Sequence, residues 1–336
     1  MGLADIPTSF GSSFFIRTFF PASIAAALYS FAFYDILRNS FWFMLSFENK
    51  ILVLIMFSLL IGILLNICDI YIYQLYEGIW GWPNFLKKYF HSRLVRKFIE
   101  YDTELERKTE EKDKIKTNIE NLNNIENLNN IEKEKAEEKL WLLDIEISKL
   151  SAELRKFPFN PDYNRFCRRY PEKPTEFGNV MEEYELYSEK QYGMHMIVFW
   201  QHLWLILPKE LRDDLDLRSA KADFSVYMSL LLLLFLPIGA IGFWFQNNTW
   251  YQVFSWNLPI YSIVSSVFSI LGCHIFYKIS ISEHKAYGRY IKAVFDLYRF
   301  DVASKLNIGI SKSPELEKKE WKKLRNYFLD YRMPEE

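Results

Sequence analysis

The stretch ILVLIMFSLLIGILLNICDIYIY, which runs from Ile51 to Tyr73, decides the fold class of this chain. A comparable stretch, FSVYMSLLLLLFLPIGAIGFWF, runs from Phe224 to Phe245. Each is close to the roughly 20 apolar residues that a helix needs to cross the hydrocarbon core of a bilayer. The sequence therefore predicts an integral membrane protein.

Two further apolar stretches accompany these, from Phe14 to Leu37 and from Pro259 to Ile279. Only a short link separates the members of each neighbouring pair, so each pair is expected to form a helical hairpin. The predicted fold is an all-α membrane protein, with four transmembrane helices as two hairpins and a helical cytoplasmic insert between them.

The expected organisation has five parts, which follow changes in charge and proline content along the chain. They are an N-terminal transmembrane hairpin (residues 1–83), a charged cytoplasmic helical hairpin (84–157), a proline-rich linker with an interfacial or re-entrant helix (158–223), a C-terminal transmembrane hairpin (224–280) and cytoplasmic amphipathic helices (281–336).

The orientation follows from the basic residues that lie close to the ends of the apolar stretches. Such residues follow the second stretch, precede the third and follow the fourth: Lys87, Lys88, Arg93, Arg96 and Lys97; Arg212, Arg218 and Lys221; Lys278, Lys285, Arg289 and Lys292. Because basic flanks stay in the cytoplasm, we expect both termini and the insert to be cytoplasmic.

The insert begins with a helical pattern in which Leu94, Phe98, Tyr101 and Leu105 share one face. The hexapeptide NIENLN then occurs twice in succession, between residues 118 and 129. Its apolar residues recur every third position and do not make a regular coiled-coil seam. The preferred interpretation is an antiparallel hairpin with this repeat near its tip, and the alternatives are a dimerising coiled coil and a solvated spacer.

The residues from 194 to 207, MHMIVFWQHLWLIL, are harder to assign. Their apolar core is too short to span comfortably, but it is long enough for an interfacial or re-entrant helix. A spanning helix here would place the basic residues before the third stretch outside the cell, against the charge rule. An interfacial or re-entrant helix is therefore favoured. Before it, Thr175 is expected to cap a helix that starts near Glu176.

Several blocks of residues stand out outside the charged hairpin. They are Glu77, Gly78 and Trp80; Pro174, Thr175, Gly178 and Asn179; Tyr187, Tyr192, Gly193, Trp200, Leu203 and Pro208; and Ala286, Tyr287, Gly288, Phe295, Asp296, Leu297, Tyr298 and Arg299. These blocks resemble a family of uncharacterised bacterial multi-pass integral membrane proteins. The resemblance covers about half of the chain and implies a bacterial plasma-membrane protein with two membrane hairpins and a variable insert. It brings no established activity.

Three ionisable residues inside the apolar stretches, Arg17, Asp69 and His274, form a candidate intramembrane polar cluster. Charged groups are costly at this depth and commonly serve a function. Arg17 and Asp69 are candidates for an ion pair between neighbouring helices. The simpler interpretation is that each side chain reaches the interface and anchors its helix.

One face of the fourth stretch carries small residues at helical spacing: Ser262, Ser265, Ser266, Ser269 and Gly272. Small residues allow two helices to approach closely, and serine hydroxyls also line water-filled pores. This face is therefore a candidate for either helix packing or pore lining, and packing is the commoner use.

Signals for an enzyme are weak. Glutamates at 182, 183, 185 and 189 precede His195 and His202, but the spacing matches no known metal motif, and a solvated acidic helix face explains them better. No Walker loop, GxGxxG, GxSxG or CxxC occurs. We expect no catalytic residue and no cofactor.

Two classes of function remain from the sequence. The first is an oligomeric pore or membrane effector that its cytoplasmic helices control. The second is a non-catalytic scaffold that recruits cytoplasmic partners through residues 84–157. The expected partners are the bilayer, other copies of the chain and a cytoplasmic protein; the formal net charge of -1 gives no indication of nucleic-acid binding.

Overall fold

The computed structural model describes residues 13–32, 44–123, 130–155, 157, 171–247 and 260–330, and every regular element in these ranges is helical. A π-helical turn, Phe15–Phe19, continues directly into α1 (Phe20–Ala32). The remaining helices are α2 (Phe47–Ile67), α3 (Asp69–Tyr76), α4 (Asn84–Asn123), α5 (Asn130–Leu154), α6 (Glu176–Glu185), α7 (Tyr187–Tyr192), α8 (Met196–Ile206), α9 (Lys209–Asn247), α10 (Ile260–Lys305) and α11 (Pro314–Asp330).

The chain divides into two compact units. Unit 1 comprises Met1–Tyr73 and Phe199–Ile310, and unit 2 comprises Gln74–Val198 and Ser311–Glu336. Helices α9 and α10 continue as single helices across residues 223 and 280, where the sequence predicts boundaries between segments. The two apolar stretches within them are parts of longer helices.

Two of the described helices are long and apolar enough to cross a membrane, namely α2 and the Lys209–Leu236 part of α9. They differ in their surroundings. In the apolar window of α9 67% of the residues are buried, whereas in that of α2 only 17% are buried. Helix α2 thus exposes a large apolar surface, which includes Leu52, Met56, Leu60 and Leu64. Parts of the first and fourth stretches lie outside the described residues.

Helices α9 and α10 pack closely in unit 1. The Cβ atom of an alanine at Gly272 would lie 2.9 Å from Leu232 Cδ1, so the absence of a side chain lets the two helices approach. One turn away, Ser229 donates a hydrogen bond of 3.1 Å to the carbonyl of Cys273. Small residues therefore set the distance between these helices along this part of their contact.

The short helix α8 contains 11 residues, and at about 1.5 Å per residue it is roughly half the thickness of a hydrocarbon core. It does not span a bilayer as a helix. One side of α8 buries Phe199 and Leu203 completely, while Ile197 and Leu205 are more than three-quarters exposed. Helix α8 is therefore amphipathic within the chain, and its interfacial or re-entrant position stays a prediction.

In unit 2, α4 and α5 form the antiparallel hairpin that the sequence predicts. Cross-helix ion pairs join Lys108 to Glu146 at 2.7 Å and Lys139 to Glu111 at 2.9 Å, and such numbering fits only antiparallel helices. The predicted apolar stripe on α4 packs against Leu154 and Phe157 at the base of the hairpin. The tip, residues 124–129, and the proline-rich linker, 158–170, lie outside the described residues.

Candidate functional site

The candidate site of unit 1 is centred on an ion pair between Arg17 and Asp223. Arg17 Nε lies 2.8 Å from Asp223 Oδ2, and the Asp223 side chain is 9% exposed. Arg17 Nη2 donates a hydrogen bond of 3.1 Å to Ser219 Oγ, and Ser219 Oγ donates one of 3.2 Å to Asp223 Oδ2. Arg17 stands in the π-helical turn before α1, a type of turn that is frequent at functional sites.

Asp223 continues into a chain of polar groups from three helices. The hydroxyl of Tyr73, on α3, is hydrogen-bonded to Asp223 Oδ1 and also lies 2.9 Å from Nε2 of His284 on α10. The other ring nitrogen, His284 Nδ1, lies 2.8 Å from the carbonyl oxygen of Ser280. His284 is 2% exposed, so its ring does not reach the bulk solvent.

The number of protons available to these groups limits how they can hydrogen-bond to one another. A carbonyl only accepts hydrogen bonds, so Nδ1 of His284 carries a proton, and Nε2 of a neutral imidazole is then an acceptor. The single hydroxyl proton of Tyr73 cannot serve both Asp223 and His284 Nε2. Either His284 is an imidazolium beside an ionised Asp223, or Asp223 carries a proton and Tyr73 donates to His284. The two arrangements differ only by proton shifts along the chain.

Opposing influences act on these two arrangements. Burial disfavours the imidazolium and lowers the pKa of His284 to about 4. Arg17, 2.8 Å from Asp223, favours the ionised carboxylate. Burial also raises the pKa of Asp223, so burial favours the arrangement with a neutral His284 and a protonated Asp223, whereas the nearby Arg17 favours the ionised carboxylate. The Asp223–Tyr73–His284 chain is therefore suited to exchange a proton.

The polar residues predicted from the sequence are only partly brought together. Asp69 accepts a hydrogen bond of 2.5 Å from Tyr227, one turn beyond Asp223 on α9, and so borders the same network. The ion-pair partners of Arg17 are Asp223 and Asp216 instead of Asp69. His274 is exposed on α10, and His284 occupies the network in its place.

The small-residue face of α10 is described in part. Ser269 is 2% exposed and Ser266 is half-buried, while Gly272 meets Leu232 of α9. The side chains of Ser262 and Ser265 lie outside the described residues. Within a single copy of the chain, the described part of this face lies against other helices.

Comparisons with family models, with curated proteins and with solved structures find no match to this chain. Inferences about function therefore rest on its own geometry.

Sequence patterns could have located most of the network. On α9, Asp216, Ser219, Asp223 and Tyr227 follow at intervals of three or four residues, which is a polar stripe leading into the apolar stretch. On α10, Ser280 and His284 share the same interval. Because the third apolar stretch begins at Phe224, Asp223 lies just outside it, and the apolar stretches alone do not reveal the stripe.

The glutamates near His195 do not assemble a metal site. Within the described ranges, no group of three or more histidine, cysteine, aspartate or glutamate side chains is placed to hold a metal ion. Glu189 instead pairs with Arg325 of α11 at 2.7 Å, and it lies 3.8 Å from His195. Glu182 lies beside Glu172. Burial and the neighbouring carboxylate raise the pKa of Glu182 to about 7.

This shift predicts a pH-dependent stability of unit 2. The folded chain binds the Glu182 proton more tightly than the unfolded chain, whose pKa is near 4.5. The stabilisation from this group is therefore fully present below pH 4.5 and is lost as the pH rises through 7. Because the side chain is only partly buried and solvent screens it, the loss is on the order of 2 kcal/mol. Glu182→Gln should remove the part of the loss that Glu182 causes and leave the part that Glu185 causes, whose pKa burial also raises to about 7. The measurement is denaturant unfolding at pH 5 and pH 8. Glu183→Gln, on the same helix, is the matched control, and equal pH dependence in both variants would refute the assignment.

Proposed function

We propose that this chain is a multi-pass protein of the bacterial inner membrane, with two transmembrane hairpins and both termini in the cytoplasm. The exposed helix α2 supports this proposal. A core helix of a soluble protein passes the same length and composition test, but it is mostly buried, whereas only 17% of the apolar window of α2 is buried. An exposed apolar surface of this size is stable in lipid or against another copy of the chain.

Within that membrane protein, we propose that unit 1 conducts ions as an oligomeric pore or membrane effector controlled by the cytoplasmic helices. The observation that carries the proposal is the Asp223–Tyr73–His284 chain beside Arg17. Ionisable groups within a membrane protein are costly and typically mark the pathway of a proton or an ion. Here the Tyr73 hydroxyl links two such groups, Asp223 and His284, so the proton is the ion that this geometry favours.

The proposal is tested by proton flux into liposomes that contain only the purified full-length protein and a pH-sensitive dye. Tyr73→Phe deletes the hydroxyl that connects Asp223 with His284 and keeps the ring. We expect this variant to reduce flux at least about tenfold with unchanged helical content and oligomer size, because the chain of proton-sharing groups is interrupted.

Tyr71→Phe is the matched control, since Tyr71 lies on the same helix with its side chain 52% exposed. It should conduct like the original protein. Equal proton flux from Tyr73→Phe and Tyr71→Phe would show that the Asp223–Tyr73–His284 chain does not lie on the conduction pathway. Flux no greater than that of protein-free liposomes, with an ionophore control that works, would reject conduction.

The second candidate is a membrane scaffold, and the α4–α5 hairpin favours it. Trp141 and Leu142, side by side on α5, are 63% and 50% exposed. Large apolar side chains that face solvent together are common at protein interfaces. In liposomes without other proteins, a scaffold produces no flux, so the same experiment separates the two candidates.

A further inference from the structure

A cleft of about 490 Å³ opens in unit 1 next to the Arg17–Asp223 pair. Its walls come from four elements: Trp200 and Trp204 of α8, Asp216 of α9, Tyr287 of α10 and Arg17 of the π-helical turn. The volume lies within the range of small-molecule sites in proteins. The proposed proton chain does not use the two tryptophans or Asp216, so this cleft is a separate feature of the unit.

Arg17, which lines the cleft, lies between two carboxylates, Asp223 and Asp216. Asp223 is the nearest counter-charge of Arg17, and its carboxylate oxygen lies 2.8 Å from Arg17 Nε. Asp216 lies 3.8 Å from Arg17 Nη2, which is too far for a hydrogen bond, and its side chain is 44% exposed. Of the two ion-pair partners of Arg17, Asp216 is therefore the more distant and the more exposed, and its carboxylate is the one that a ligand in the cleft can reach.

The two tryptophans that line the cleft also favour a cation. Trp200 and Trp204 lie one helical turn apart with ring centroids separated by 5.9 Å, and both are only partly buried. The face of an indole ring attracts an organic cation that lies within about 6 Å of it, and tryptophan is the strongest such group. A carboxylate together with two indole rings favours a cation that is both charged and apolar.

We propose that this cleft binds an organic ammonium group, which places its charge at Asp216 and its methyl or methylene groups against Trp200 and Trp204. An anion is disfavoured because two carboxylates already surround Arg17. The ammonium group can belong to a free compound of the choline type or to the head group of a zwitterionic phospholipid. A lipid source is consistent with Leu205, a cleft residue that is 76% exposed.

The test measures binding without any flux, so its result is independent of conduction. The purified full-length protein in detergent is titrated calorimetrically with tetramethylammonium chloride, against potassium chloride at the same ionic strength. In parallel, lipids retained by the protein are identified by native mass spectrometry after exchange into equal amounts of phosphatidylethanolamine and phosphatidylglycerol. The variants are Asp216→Asn and Trp204→Leu. Asp214→Asn is the control, because Asp214 pairs with Arg218 on the same helix and does not line the cleft.

Saturable binding of tetramethylammonium that weakens about tenfold in Asp216→Asn and in Trp204→Leu, but not in Asp214→Asn, supports a site for free ammonium compounds. No binding of the soluble ion, together with preferential retention of phosphatidylethanolamine that both variants lose, supports the lipid head group. No preference in either experiment, or binding that the two variants leave unchanged, overturns the proposal. Should Asp216→Asn fail to fold, Trp204→Leu decides the outcome by the same criteria.

Discussion

Asp223→Leu should destabilise unit 1 by about 3 kcal/mol, because it leaves Arg17 without its closest counter-charge in a largely apolar environment. The change also removes the acceptor of the hydrogen bonds from Tyr73 and Ser219. The loss is measured as a shift in the unfolding midpoint of the detergent-solubilised protein. Asp214→Leu, at a more exposed ion pair on the same helix, should cost less than about 1 kcal/mol.

The double variant Arg17→Met/Asp223→Leu separates a structural role of this pair from a functional one. Replacing both members of a buried ion pair by apolar residues is often neutral for stability, so the double variant should recover most of the loss. If the pair belongs to the conduction pathway, the recovered protein still conducts no protons. A stable double variant with full flux would show that the pair only holds α9 against the N-terminal segment. A double variant less stable than Asp223→Leu alone would contradict the proposed coupling.

Asn179→Ala should cost unit 2 about 3 kcal/mol or more. The Asn179 side chain is fully buried, and its oxygen accepts hydrogen bonds from the amides of Glu172 and Lys173 at 2.8 and 3.1 Å. Its amide group donates to the carbonyls of Lys173 and Thr175 at 2.8 and 2.6 Å. Alanine removes all four bonds and leaves backbone groups without partners, each of which costs about 1–3 kcal/mol when buried.

Asn179→Asp provides a sharper test of the same geometry. The aspartate keeps an oxygen for the two amides but loses both donated bonds and introduces a buried charge, so it should be at least as unstable as Asn179→Ala at pH 8. Asn326→Ala, at an exposed position on α11, is the control and should change the unfolding free energy by less than about 0.5 kcal/mol. A loss below about 1 kcal/mol for Asn179→Ala would refute this account.

Local patterns predicted much of unit 2. The helix expected to start near Glu176 is α6, and Thr175 caps it by accepting a hydrogen bond of 2.9 Å from the amide of Gly178. The hairpin of α4 and α5 was predicted as well. These features depend on residues close in sequence, whose spacing and hydrogen-bonding groups are visible in the printed chain.

Two positions need glycine for a reason that the local sequence does not reveal, because the need comes from residues far away in the chain. A Cβ atom at Gly178 would lie 2.9 Å from the carbonyl oxygen of Glu77, about a hundred residues earlier in the chain. Gly78 has a φ of +80°, and a Cβ atom there would lie 2.4 Å from Pro174 Cγ. Two of the sequence blocks therefore pack against each other, the one at residues 77–80 and the one at residues 174–179.

The sequence by itself determined which segments of this chain are helical and apolar, where several helices begin and how the charged hairpin folds back, because helix periodicity, capping and hydrophobicity are local properties. Only the tertiary structure decided which polar groups meet. Arg17 pairs with Asp223 instead of Asp69, and His284 takes the place that the sequence assigned to His274. Which polar residues meet depends on how helices that are distant in sequence pack against each other. A residue on the packed face of a helix becomes a buried partner, whereas a residue on the opposite face stays exposed to solvent.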